Sequence, residues 1–282
     1  MKNLISPLLY FLMVTEMAED FLERLKKERK REIEETLKGL PVEFTSEQVR
    51  ERFFEEVIQD PRKLQFLIRF CGRYPEKIVF EPDGFLLPPR KEIEENTIYY
   101  PMSYFERHSV EEMYYTLLHE HLHDLQIEVL PEWIIRPEFP VPEEPLELSA
   151  FYYKFLGIIF DVLQYIKNIH ADFVMSKRLM ADDKELFEAG RKKLYAEAFE
   201  KLLFEEGERT LADLLELLYY SVMAEREEEA ERWITENLPA FKWFAKTIIC
   251  EFNKVKKETE PLQFAVLKII SAIASFSYKR SY

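Results

Sequence analysis

Glycine is scarce, with 6 in 282 residues. A turn-rich sheet protein needs glycine at its left-handed positions, so the shortage points to helices. Cysteine is scarcer still. Cys71 and Cys250 make no disulfide framework and read as two buried thiols of an intracellular, cytoplasmic protein. There are only five Asn and six Gln, while charged residues reach 33%. That bias matches heat-loving organisms, and a thermophilic source is expected. Excess positive charge is also missing. At a net −14 the chain is a poor match for phosphate backbones, and no nucleic-acid partner is expected. Its densest basic run, Lys26-Lys27-Glu28-Arg29-Lys30-Arg31, is ringed by Glu23, Glu32, Glu34 and Glu35 and reads as a solvated helix face. The apolar opening, Leu4 to Val14, is too short to span a bilayer and has no cleavage site after it. Membrane association is therefore not expected, and Met17 is a candidate alternative start. Nothing in the sequence speaks to oligomeric state.

What is present is a globular share of apolar residues, 47%, in helical periods for most of the chain. Residues Glu19 to Lys38 read as a charged helix. Ser46 caps a second helix to Gln59. Pro61 opens a third that Gly72 ends. Sheet chemistry is confined to one stretch: Lys77 to Phe80, a turn at Pro82-Asp83-Gly84, Phe85 to Leu87, and Thr97 to Tyr100 closed by Pro101. Two to four strands are expected. Ser109 and Glu112 form a capping box for a helix from Val110 to about Glu128. Pro131 to Pro145 reads as an extended loop. Everything after Leu146 reads as helix, with breaks near Asp182, Gly207, Pro239 and Pro261. The fold class is α+β, predominantly α-helical. The division expected is an N-terminal helical segment over 1–45, a core over 46–181 with the small sheet packed on the 110–128 helix, and a helical C-terminal subdomain over 182–282, or one continuous domain.

All five histidines lie between 108 and 170, and His119, Glu120 and His123 match His-Glu-x-x-His. On a helix, positions four apart lie within about 40° of each other, one turn along. Two imidazoles on one face can then share a metal ion. Glu120, about 100° away, can reach water on that ion as a general base without ligating it. The alternative reading, His119, His121 and His123 on one face of a strand, conflicts with the capping box and the helical period. His121 on a helix points away from the other two.

Leu117 to His123, with the strand Thr97 to Tyr100 before them, resembles the zincin metalloproteases. No His-x-x-Gly-x-x-His follows His119, so the metzincin branch does not fit. The glutamate- and aspartate-zincins are nearer. The resemblance implies a zincin-like core, one Zn2+, a peptide or protein substrate, and a cleft-edge strand, Ile98, Tyr99 and Tyr100, that pairs with an extended peptide. It also implies a third ligand from the next helix, about Glu147 to Met180. There Asp161, Asn168 and Asp172 share a face among apolar neighbours. Asp172 is the expected metal ligand. Asp161 or Asn168 would orient an imidazole from behind, and His170 is the rival ligand. Where the family pattern has a glutamate followed four residues later by aspartate, this chain has Asn168 and Asp172. His108, Tyr104, Tyr152 and Tyr153 are candidates for oxyanion stabilisation. The functional expectation is a zinc-dependent hydrolase, a peptidase, with Glu120 as base. The alternative is a helical interaction or scaffold protein with a vestigial or structural metal site.

Overall fold

The computed structural model describes residues 7–83, 88–92, 94–138, 146–205 and 209–280, with side chains described at these positions except 7–20, 146–152 and 277–280. The expected strand Phe85 to Leu87, the break at Gly207, the last part of the Pro131–Pro145 loop and the Tyr152 side chain lie outside these residues. The chain is α+β and predominantly helical, with one small mixed sheet. It forms two compact units, Met1–Val110 and Glu111–Tyr282.

The first unit holds the sheet. Helix α1 (Pro7–Leu37) leads into β1 (Val42–Phe44), α2 (Glu47–Gln59), α3 (Pro61–Arg73), β2 (Lys77–Glu81), β3 (Arg90–Glu92), β4 (Thr97–Pro101) and α4 (Met102–Arg107). The local signals act as expected. Ser46 accepts the Val49 N–H at the start of α2, and Pro61 sits in the first turn of α3, where its missing N–H costs nothing. Strand order is β1-β2-β4-β3, with β1, β2 and β4 parallel and β3 antiparallel to β4. The parallel step from β1 to β2 needs a crossover, which α2 and α3 supply. Four phenylalanine rings, Phe44, Phe54, Phe80 and Phe105, surround Phe53 at 4.9–6.1 Å. Pairs of this kind each add about 0.5–1.5 kcal/mol beyond simple burial.

This topology corrects one expectation. Of the expected edge Ile98, Tyr99 and Tyr100, the first two do not form an open edge, and Tyr100 lies beyond the β3 register. Arg90 to Glu92 pair with Tyr99 to Thr97 on one side of β4, and β2 occupies the other. From Thr97 to Tyr99 both backbone edges of β4 are engaged, so a substrate strand cannot add to β4 there.

The second unit is all helix: α5 (Val110–Ile127), which begins at the end of the first unit, then α6 (Glu132–Ile135), α7 (Leu146–Phe173), α8 (Ala181–Phe204), α9 (Leu211–Ala224), α10 (Glu227–Asn237), α11 (Lys242–Lys257) and α12 (Leu262–Arg280). The expected extended loop after Pro131 therefore contains a short helix. The expected helix to Met180 stops at Phe173 and gives way to a 3-10 turn at Met175–Arg178. The core gathers Ile166, Ile169, Leu217, Leu218, Ile248, Phe252 and Ile273, all fully buried. Gly190 lets α8 approach α5. A β-carbon there would collide with the Glu111 carbonyl oxygen and come within 2.7 Å of Tyr115 Cβ. The reversal between α9 and α10 runs through Glu225 in the left-handed region (φ 60°). Its carboxylate is gripped by Lys192 at 2.6 Å and Lys256 at 3.3 Å. Both cysteines are free, and Cys250 is exposed rather than buried. Burial pushes the half-buried Cys71 thiol up to about 11, with Glu76 adding to the shift. Among the described residues, no helix is long and apolar enough to cross a membrane.

Candidate metal centre

Helix α5 carries Tyr115, His119 and His123 at four-residue steps, and Gln126 three residues further on. Such spacing stacks side chains along one face. The two imidazoles turn the same nitrogen toward one point: Nε2 of His119 lies 3.1 Å from Nε2 of His123. Glu120 joins them, with the ligand atoms of all three residues within 4.8 Å of one another.

Each ring is held from behind. His119 Nδ1 lies 2.6 Å from Asp172 Oδ1, and the Tyr115 hydroxyl donates to Asp172 Oδ2 at 2.7 Å. Asp172 is nearly fully buried, so its charge is satisfied by these two donors. His123 Nδ1 lies 2.7 Å from Gln126 Oε1. The Gln126 amide cannot turn over, because its nitrogen donates to the Lys167 carbonyl (2.7 Å) and to His170 Nδ1 (3.1 Å). A backbone carbonyl accepts only, so the amide oxygen faces His123 and the His123 proton sits on Nδ1. The same reasoning puts a proton on His119 Nδ1, facing the carboxylate. The two Nε2 atoms therefore face each other, and where both rings are neutral each turns a lone pair to the space between them.

Either a proton shared between the rings or a cation satisfies that arrangement. Two nitrogens on one tetrahedral zinc, each at about 2.05 Å, stand about 3.3 Å apart. The donor set fits such an ion. Without an ion the protonation tendencies of the two rings diverge, His119 toward a donor and His123 toward an acceptor. Burial disfavours charge on His119, but Asp172 overrides it and raises the ring's pKa. Burial drives His123 well below its usual value, and the neighbouring His119 adds to that. Burial also lowers Lys167, against the pull of Glu120. The Lys167 charge also adds to the lowering of His123.

Asp172, expected as a ligand, approaches Nδ1, the nitrogen turned away from the shared point, and holds His119 from behind. Asn168, expected to orient a ring, sits one turn before Asp172. Its amide donates to the Tyr219 hydroxyl at 3.0 Å and contributes to the shift of His119. His170 is half-buried and lowered to about 4, mainly by burial, so it is neutral and accepts from Gln126. Asp161 does not join. It is exposed, eleven residues before Asp172 and so about 16 Å away along α7, on a separate cavity of about 570 Å³ with Lys154, Ile158 and Leu211. His121 is half-buried on another face of α5. Tyr104 and His108 meet edge-to-face in the first unit, with ring centres 3.8 Å apart, and Tyr153 is exposed.

Tyr115, Gln126, Tyr195 and Tyr219 escaped the sequence reading. The first two carried a signal, four residues before His119 and three after His123. The last two carried none. Tyr195 reaches the site from α8, its hydroxyl 3.4 Å from Tyr115 and 3.0 Å from Tyr219. Comparison with protein-family models, with curated proteins and with solved structures gives no match for this chain.

Proposed function

We propose that this chain is a zinc-dependent hydrolase acting on peptide bonds, with a zincin-like arrangement in the second unit. The observation that carries the reading is the pair of Nε2 atoms facing each other at 3.1 Å, each fixed by an acceptor on its own Nδ1. His119 and His123 would hold the ion. A bound zinc supplies Lewis acidity and a water molecule acidic enough to react near neutral pH. Glu120 would be the general base toward water at the site and would carry its proton to the leaving amine. Asp172 and Gln126 keep both rings in the tautomer that binds. Lys167, whose charge interacts with Glu120, would add positive potential as the carbonyl oxygen gains electron density.

The test compares wild type with Glu120→Gln, reading zinc by elemental analysis and hydrolysis with a quenched fluorescent peptide library. Both proteins should bind one zinc per chain, and only the wild type should cleave. Equal cleavage by Glu120→Gln would remove the assigned base. One observation favours the second reading, a helical interaction protein with a structural or vestigial metal site. Among the described residues, the acidic or histidine partner that closes on both Nε2 atoms is Glu120 itself, which leaves no separate third ligand. Full zinc occupancy without hydrolysis of any peptide would select that reading.

A further inference from the structure

A second site lies on α7, away from the histidines. Between α7 and the start of α9 is a cavity of about 570 Å³, walled by Phe155, Ile158, Leu211 and Ala212. Such a volume with apolar walls is that of a small-molecule pocket. The two helices run in the same direction beside it. Tyr165 stacks on Tyr219 at 4.3 Å, and about one turn earlier on each helix Asp161 lies in the field of Glu216. Lys154 comes two turns before Asp161 on the same face of α7. Gly157 lies between them. A glycine inside a helix costs stability relative to alanine. Close packing accounts for Gly190, but a β-carbon on Gly157 would meet nothing within 4 Å. The packing of α7 does not need this glycine. The cavity does, because a side chain there would enter the open space.

Opposite charges line the two ends of this cavity. Among the described residues, neither Asp161 nor Lys154 has an ion pair. Glu216 adds negative charge at the Asp161 end, and one of its oxygens accepts from the Tyr220 hydroxyl at 2.7 Å. We propose that the cavity binds a short apolar peptide with both ends free, its ammonium at Asp161 and its carboxylate at Lys154. Seven residues of helix set these side chains about 10.5 Å apart along the axis. That is the span of about three extended residues. A fatty acid would satisfy Lys154 and leave its tail against two carboxylates. A metal ion is a poorer occupant, because among the described residues Asp161 and Glu216 belong to no three-residue group that could hold one. The site needs no zinc, so it stands or falls separately from the hydrolase reading.

The test is isothermal titration of trileucine into the full chain carrying Glu120→Gln, so that no turnover consumes the ligand. One peptide should bind per chain. Acetylating its amino end or amidating its carboxyl end should each weaken binding about fivefold, the worth of one exposed ion pair. Asp161→Asn should bind the free and the acetylated peptide equally, and Lys154→Gln the free and the amidated one, because each variant has already lost the pair that the modification removes. Gly157→Leu should fill the cavity and abolish binding, while its urea midpoint holds or rises, since leucine has room there and favours helix. No binding of trileucine would overturn the proposal. So would full binding to Gly157→Leu, which would move the peptide elsewhere, or modified peptides that bind as tightly as the free one. Tighter binding of decanoate than of trileucine would overturn it in favour of a fatty acid.

Discussion

Asp172 and His119 meet at 2.6 Å through Nδ1, on the side of the imidazole opposite the nitrogen that faces His123. The carboxylate sets the tautomer and the angle of the ring without occupying the shared point. Removing it should loosen the metal rather than expel it. Asp172→Ala should lower zinc affinity about 10–100-fold, with full occupancy recovered at high zinc. His119→Ala and His123→Ala should abolish stoichiometric binding. Competition with a chromogenic chelator separates the two outcomes. Loss of all zinc from Asp172→Ala, equal to the loss from the histidine variants, would return Asp172 to the role of ligand.

Gln126 does for His123 what Asp172 does for His119, but without charge. Gln126→Leu keeps the volume and removes the acceptor, freeing His123 to put its proton on Nε2. Zinc affinity should again fall about 10–100-fold, and the drop should be smaller in Gln126→Glu, which keeps an acceptor. Isothermal titration of both variants distinguishes an acceptor effect from simple packing.

Gly190 is where α8 closes on the helix that bears the histidines. Gly190→Ala has no room, because the obstacle is the Glu111 backbone and the Tyr115 β-carbon. Overpacking of this kind costs about 1–3 kcal/mol, to be read as a lowered urea midpoint. Tyr115 supports Asp172 and packs against Phe187 at 4.9 Å, so zinc affinity should fall alongside stability.

His170 makes stability depend on pH. Its pKa is lowered by burial from 6.5 to about 4. Between these values the unfolded chain takes up a proton that the folded chain refuses. Its part of the stability is therefore whole above about pH 6.5, shrinks as pH falls toward about 4, and changes no further below that. Allowing for partial exposure, the loss is about 1–3 kcal/mol. His170→Asn keeps an acceptor for Gln126 and does not titrate. Chemical denaturation at several pH values should show a flatter profile for that variant across this window.

Much of the fold was legible because its signals are local. Ser46 and Pro61 mark helix starts by satisfying or lacking a single N–H, and the structure begins α2 and α3 there. The parallel strands Lys77 to Glu81 and Thr97 to Pro101 advertise themselves by continuous apolar residues, as strands buried on both faces do. The position of β4 within the sheet was not legible. It depends on β3 folding back along its far side, and three residues as polar as Arg90-Lys91-Glu92 give no sign of that. The reversal at Glu225 was equally hidden. A glutamate in the left-handed region has no signature of its own; Lys192 and Lys256, distant in sequence, hold it there.

At the centre, the sequence by itself determined which residues share a helix face: His119 with His123, and Asn168 with Asp172. Helical spacing is a property of the backbone and needs no partner. Only the tertiary structure decided which nitrogen each imidazole turns toward the other. That choice comes from acceptors placed behind the rings, Asp172 from α7 and Gln126 locked by the Lys167 carbonyl and His170. A side chain's rotation and protonation answer to neighbours in space, and for His119 and Gln126 those neighbours lie on another helix.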